Sequence, residues 1–132
     1  MNPHLFFILK PIVHYSLHFL VPGLIAFIFF RKEWKKAWLI MIATMLVDAD
    51  HLLATPIFDP DRCSIGYHPL HSYYAIAVYF VLLFFPKTRI IAVGLLFHMF
   101  TDWQDCQWSL WLGPRLSMGP CIMVNPICQM KW

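Results

Sequence analysis

Four short polar clusters hold the side chains of this sequence that could do chemistry: His14-x3-His18, Asp48-x-Asp50-His51, His68-x2-His71 and His98-x3-Asp102. Imidazole and carboxylate are the donors that zinc, manganese and iron bind. Each cluster lies inside or at the edge of an apolar stretch, where an uncompensated polar group is costly. Six of the seven histidines fall in these clusters, and that concentration makes a buried metal site the leading expectation.

Spacing supplies local geometry. His14/His18 and His98/Asp102 are i,i+4 pairs, and Asp48/His51 and His68/His71 are i,i+3 pairs, so each pair projects from one face of a helix. Two donors on one face can chelate an ion, and several helices can close its shell, as in bundle-core metal sites. The candidate ligands are His14, His18, Asp48, His51, His68, His71, His98 and Asp102. The expected ion is zinc or another divalent transition metal, with manganese and iron as options. The donors outnumber the roughly four to six positions of one ion. Either more than one ion binds, or some members orient ligands and act as a base. Asp50 is the carboxylate expected as general base.

Each cluster also has a plainer reading. His14 and His18 could hydrogen-bond between helices. His68-Pro69-Leu70-His71 could cap the helix that follows, and His98/Asp102 could be a neutral pair. Asp48 and Asp50 oppose a helix C-terminal dipole and need a cation, which Arg62 or a metal could supply. His4, Asp59, Asp61 and Asp105 read as solvated.

The elements that must position these groups follow from composition. In 132 residues, 60% are hydrophobic and 13% charged, against roughly 45–50% and about 25% in soluble domains. A chain this short forms one core and cannot hide that much apolar surface from water, so an all-α integral membrane protein is expected. The apolar segments 12–30, 37–54, 72–86 and 90–103 predict about four transmembrane helices in a domain over 1–103. No ten-residue alternation suggests a barrel. Lys10 is the first charge and no small-x-small cleavage site follows, so the first segment is expected to stay as a span.

The net charge is +3, and its basic residues form short runs instead of a face, which argues against nucleic acid as a partner. Arg31-Lys32-Glu33-Trp34-Lys35-Lys36 and Lys87-Thr88-Arg89 join segments one to two and three to four. Both runs belong on the cytoplasmic side. The connection 55–69 then faces outward, with Asp59-Pro60-Asp61 as a turn. These loop charges place all four clusters toward the non-cytoplasmic face. Pro22-Gly23 is expected to kink the first helix or open it for a neighbour.

The tail 104–132 carries Gly113-Pro114, Gly119-Pro120 and Asn125-Pro126, and reads as irregular or interfacial. Cys63, Cys106, Cys121 and Cys128 lack C-x-x-C spacing, which disfavours a thiolate zinc site. Four unpaired thiols are the simplest reading, with a disulfide open on an oxidising side.

The order of an early His, Asp48-Ala49-Asp50-His51, His68-Pro69-Leu70-His71-Ser72 and His98-x3-Asp102 resembles the small membrane-bound metal-dependent hydrolases. These are grouped with the phospholipase C and P1 nuclease-like zinc proteins, and the closest likeness is to a compact prokaryotic branch. The resemblance covers 13–105. It implies metal-assisted hydrolysis of a phosphoester or lipid-linked substrate near the lipid headgroups of an inner membrane. Pro69-Leu70 departs from the Arg-Gly often found between that group's central histidines, and no N-terminal ligand is found.

Three rivals stand beside a hydrolase. A non-catalytic metal carrier or sensor would use the same donors. A bis-His haem would pair His14 or His18 with His98. A structural subunit would use its histidines only to pack helices. Oligomeric state is not legible in the sequence.

Overall fold

The computed structural model describes the backbone of residues 3–53, 57 and 63–116, and their side chains apart from those of 3, 4, 6, 7 and 109–116. The Asp59-Pro60-Asp61 turn, Arg62, the side chain of His4 and the tail beyond residue 116 lie outside these. Four α-helices form the frame: α1 (Pro3–Phe29), α2 (Trp34–Ala43), α3 (Tyr73–Leu82) and α4 (Arg89–Leu116). Short 3-10 helices cover Arg31–Glu33, Thr44–Leu53 and Pro69–His71. The described residues contain no strand, in keeping with the all-α expectation. Among them, one helix is long and apolar enough to cross a membrane: α1, over Ile8–Phe29.

Two apolar clusters hold the frame. At one end Ala26, Ala37 and Met41 pack with Ile25, Phe30, Trp38, Ile90 and Val93, bringing the end of α1 against the starts of α2 and α4. The basic runs Arg31–Lys36 and Lys87–Arg89 therefore share this end. Nearer the middle, Val47, Tyr79 and Met99 pack with Ile65, Ala75, Ile76, Leu95 and Leu96, joining α2's continuation to α3 and α4.

Small residues set the close approaches. At Gly94 a Cβ would lie 2.9 Å from the Thr44 side chain and 3.1 Å from Met41 Cα, so α2 and α4 nearly touch there. The neighbour expected at Pro22-Gly23 is Trp38. Its indole N–H donates to the Phe19 carbonyl at 2.9 Å, and its ring lies 3.2 Å from where a Gly23 Cβ would be. Ser72 caps α3, its Oγ accepting from Ala75 N–H. Gly66, at φ 82°, turns the chain so that its N–H donates to the His71 carbonyl at 3.0 Å.

Three expectations need correction. α4 continues past Gln104 to Leu116, where irregular chain was expected. Pro114 removes a single backbone donor, and so near the helix end that loss is small. α1 begins at Pro3 instead of near Ile12, since proline is well suited to a first helical turn. The donors on α1 and α4 consequently sit in mid-helix, roughly 14–22 Å from the basic end at 1.5 Å per residue. Finally, Cys63 and Cys106 form a disulfide. It ties the segment that leads into His68 and His71 to α4 one turn beyond Asp102.

Candidate metal centre

The four sequence clusters converge. Asp48 comes from the 3-10 helix that extends α2, His71 from the 3-10 turn before α3, and His98 and Asp102 from successive turns of α4. Asp48 Oδ1 lies 3.1 Å from His98 Nε2 and 3.3 Å from His71 Nε2. Asp102 Oδ2 lies 3.1 Å from His71 Nε2 and 3.4 Å from His98 Nε2. The two Nε2 atoms are 3.4 Å apart.

The four donor atoms all lie within 4.8 Å of one another and can be compared with the corners of a tetrahedron. With metal–ligand bonds of about 2.0–2.1 Å, adjacent donors in a tetrahedral shell stand about 3.3–3.4 Å apart. Five of the six edges lie at 3.1–3.4 Å. His71, His98 and Asp102 are buried, and Asp48 is partly exposed.

Behind the donors, Asp50 fixes His71. Its Oδ2 accepts from His71 Nδ1–H at 3.1 Å and from the Leu70 backbone N–H at 2.9 Å. A carboxylate can only accept, so the ring proton belongs on Nδ1 and Nε2 is left as a ligand. Metal-bound histidines commonly have such a carboxylate on the other ring nitrogen. Asp50, expected to be a spare base, thus lies across the His71 ring from the four donor atoms. Carboxylate oxygens of Asp102, Asp48 and Asp50 all lie within 3.3 Å of the nitrogens of the buried His71 ring. The cluster calls for positive charge here, which a proton or a divalent ion can supply.

His51 and His68 take neighbouring positions. Their rings stack with centroids 4.0 Å apart. His51 Nε2 lies 3.1 Å from Ser64 Oγ and its Nδ1 3.2 Å from Asp50 Oδ1. Among the described residues, one donor atom each from Asp50, His51 and His71 lie within 4.8 Å of one another, but Asp50 already binds Nδ1 of His71. His68, expected as a ligand, is buried against His51 and joins none of the donor groups. His14 and His18 lie beyond Asp102, with His18 Nε2 3.4 Å from Asp102 Oδ1.

The haem alternative fails on space for its His18–His98 pair. These rings are tilted against each other with centroids 4.5 Å apart, leaving no gap for a porphyrin and its iron between two axial nitrogens.

Asp105, read from the sequence as solvated, faces His14 and pairs with Lys10 at 3.2 Å. Its spacing, i+3 from Asp102, was the available signal.

A family profile matches residues 8–109, a stretch containing every donor named above. The chain belongs to DUF6122, a family of unknown function. No curated protein and no solved structure matches it. Membership of DUF6122 brings no activity with it, and the chemistry of the site follows from its geometry.

Proposed function

We propose that this DUF6122 chain is an integral membrane metalloprotein that holds a divalent transition-metal ion between Asp48, His71, His98 and Asp102. The tetrahedral edge lengths are the observation that carries this reading. Charge supports it: among the four donors two carboxylates and two neutral imidazoles balance a dication, and burial makes unbalanced charge expensive. Zinc suits four nitrogen and oxygen donors in a tetrahedron. Manganese or iron would add water on the exposed side of Asp48.

The outer surface supports a membrane setting. Leu39, Phe80, Val81 and Phe100 on α2, α3 and α4 are all more than half exposed, while the histidines and aspartates point inward. A surface apolar outside and polar within suits lipid as solvent. The three helices after α1, with their 3-10 extensions, would then be the remaining spans. The shared basic end is cytoplasmic by the positive-inside rule, which puts the metal in the outer half. The Cys63–Cys106 disulfide, at the site end, fits an oxidising compartment.

Four protein donors fill a tetrahedral shell, the arrangement of ions that fix a structure. Hydrolysis of a phosphoester or lipid-linked substrate needs a position for water as well, and this ion offers one only by expanding its shell. Metal binding is thus the function that the geometry supports best, and a hydrolase requires a more open ion.

The test is elemental analysis of protein purified in detergent, with His71→Ala and His98→Ala beside the wild type. A tightly held ion that wild type keeps and both variants lose is the expected result. Wild-type protein without metal, or variants with undiminished metal, would overturn the reading.

A further inference from the structure

Asp102 has a second oxygen. While Oδ2 faces the four-donor cluster, Oδ1 lies 3.4 Å from His18 Nε2 on α1. His14 stands one turn earlier on the same helix, its ring centroid 4.5 Å from that of His18. One donor atom from each of His14, His18 and Asp102 falls within 4.8 Å of the others.

Two observations mark this trio as a ligand site. His18 is only 3% exposed, yet its Nε2 makes no hydrogen bond of acceptable geometry. Nor does the buried Nδ1 of His14, where Asp105 Oδ1 lies 3.8 Å away. Buried polar atoms are seldom left so, and both nitrogens belong to the residue type that binds metals. Separately, a cavity of about 210 Å³ lined by Lys10, Pro11, His14, Tyr15 and Asp105 opens onto the His14 side.

We infer that His14, His18 and Asp102 hold a second divalent ion, joined to the first by the Asp102 carboxylate and open toward the cavity beside Asp105 and Lys10. The inference rests on the reading of the first site, since it needs Asp102 to serve two ions. Three protein donors leave a fourth position for water or an anionic oxygen, as catalytic zinc sites do. Paired ions bridged in this way are a recurrent arrangement for binding phosphoryl oxygens. The open position on the ion decides the ligand class, an oxyanion such as a phosphoester, and the Lys10–Asp105 pair lines its approach. The first ion fixes the bundle, while the second meets the substrate.

The experiment uses the full chain in lipid nanodiscs, stripped by chelator and reloaded with Mn2+. Wild type is expected to hold two ions and give an exchange-coupled pair signal by electron paramagnetic resonance. His14→Ala and His18→Ala are each expected to hold one, uncoupled. His14 borders the cavity and is partly exposed, so its truncation leaves the core intact if the His18 variant fails to fold. Inorganic phosphate, as the oxyanion probe, is expected to shift the wild-type signal but not that of His14→Ala. One ion in wild type, kept by His14→Ala, overturns the second site and leaves the first standing. A phosphate shift that survives in His14→Ala also overturns it, because the open position would belong to the first ion. No ion in wild type removes both readings.

Discussion

Replacing Asp50 with asparagine deletes one charge behind His71 without opening a hole. Asp50 Oδ2 accepts two hydrogen bonds, from Leu70 N–H and His71 Nδ1–H, and the asparagine oxygen can accept both. The Leu70 bond is the same with and without metal, so it cancels from the affinity. What changes is the push of a carboxylate on the imidazole opposite the ion. Loss of such a partner weakens metal binding by about 10- to 100-fold, or about 1.4–2.8 kcal/mol. Asparagine keeps the hydrogen bond to Nδ1–H and loses only the charge, so the lower end, about tenfold, is expected. Competition against a fluorescent zinc chelator in detergent measures this, with Asp48→Asn as the loss of a direct ligand and more than 100-fold expected. If Asp50→Asn binds zinc within twofold of wild type while abolishing turnover, Asp50 is a base and the positioning role is wrong.

Three further outcomes are expected. Metal binding needs an unprotonated Nε2 on both His71 and His98, so apparent affinity should rise with pH, and a flat titration would contradict their assignment as ligands. In Gly94→Ala the new methyl meets Thr44 at 2.9 Å and the α2 backbone at 3.1 Å, so stability should fall by about 1–3 kcal/mol. An unchanged melting temperature in nanodiscs would show that the two helices are not in this contact. Cys106→Ser should lower stability by about 2–4 kcal/mol, and reductant should destabilise wild type but leave the variant unaffected.

Much of the arrangement was legible because polar groups in apolar segments are few and their spacing is constrained. Loop charges alone predicted that all four clusters, Asp50, His51 and His68 included, would share a level; in the structure Asp48, His71, His98 and Asp102 meet, with His14 and His18 on one side and Asp50, His51 and His68 on the other. Their depth was not legible. Hydropathy windows stop where polar residues begin, so they cut α4 at Trp103 and start α1 at Ile12. Backbone hydrogen bonding has no such boundary and carries both helices further. The Cys63–Cys106 bond depends on a long-range approach between a loop and a helix that spacing rules do not encode.

The placement of the side chains in Asp48-Ala49-Asp50-His51 was not legible because it depends on helix type. An α-helix advances 100° per residue, while a 3-10 helix advances about 120°, so residues three apart eclipse. In the 3-10 helix Thr44–Leu53, Asp48 and His51 consequently lie above one another, and Asp50 is carried about 120° to the other side of Asp48. His71 enters between the two carboxylates, its Nε2 3.3 Å from Asp48 and its Nδ1 3.1 Å from Asp50. One imidazole is thus held from both ends, with Asp48 on the side of the four-donor cluster and Asp50 behind the ring. Regular α-helix through the same residues would turn Asp48 and Asp50 to other angles about the axis and lose this grip on His71. The tightened turn is therefore a requirement of the site, and Thr44, whose hydroxyl donates to the Met41 carbonyl at 2.6 Å where the helix changes type, sits at its start.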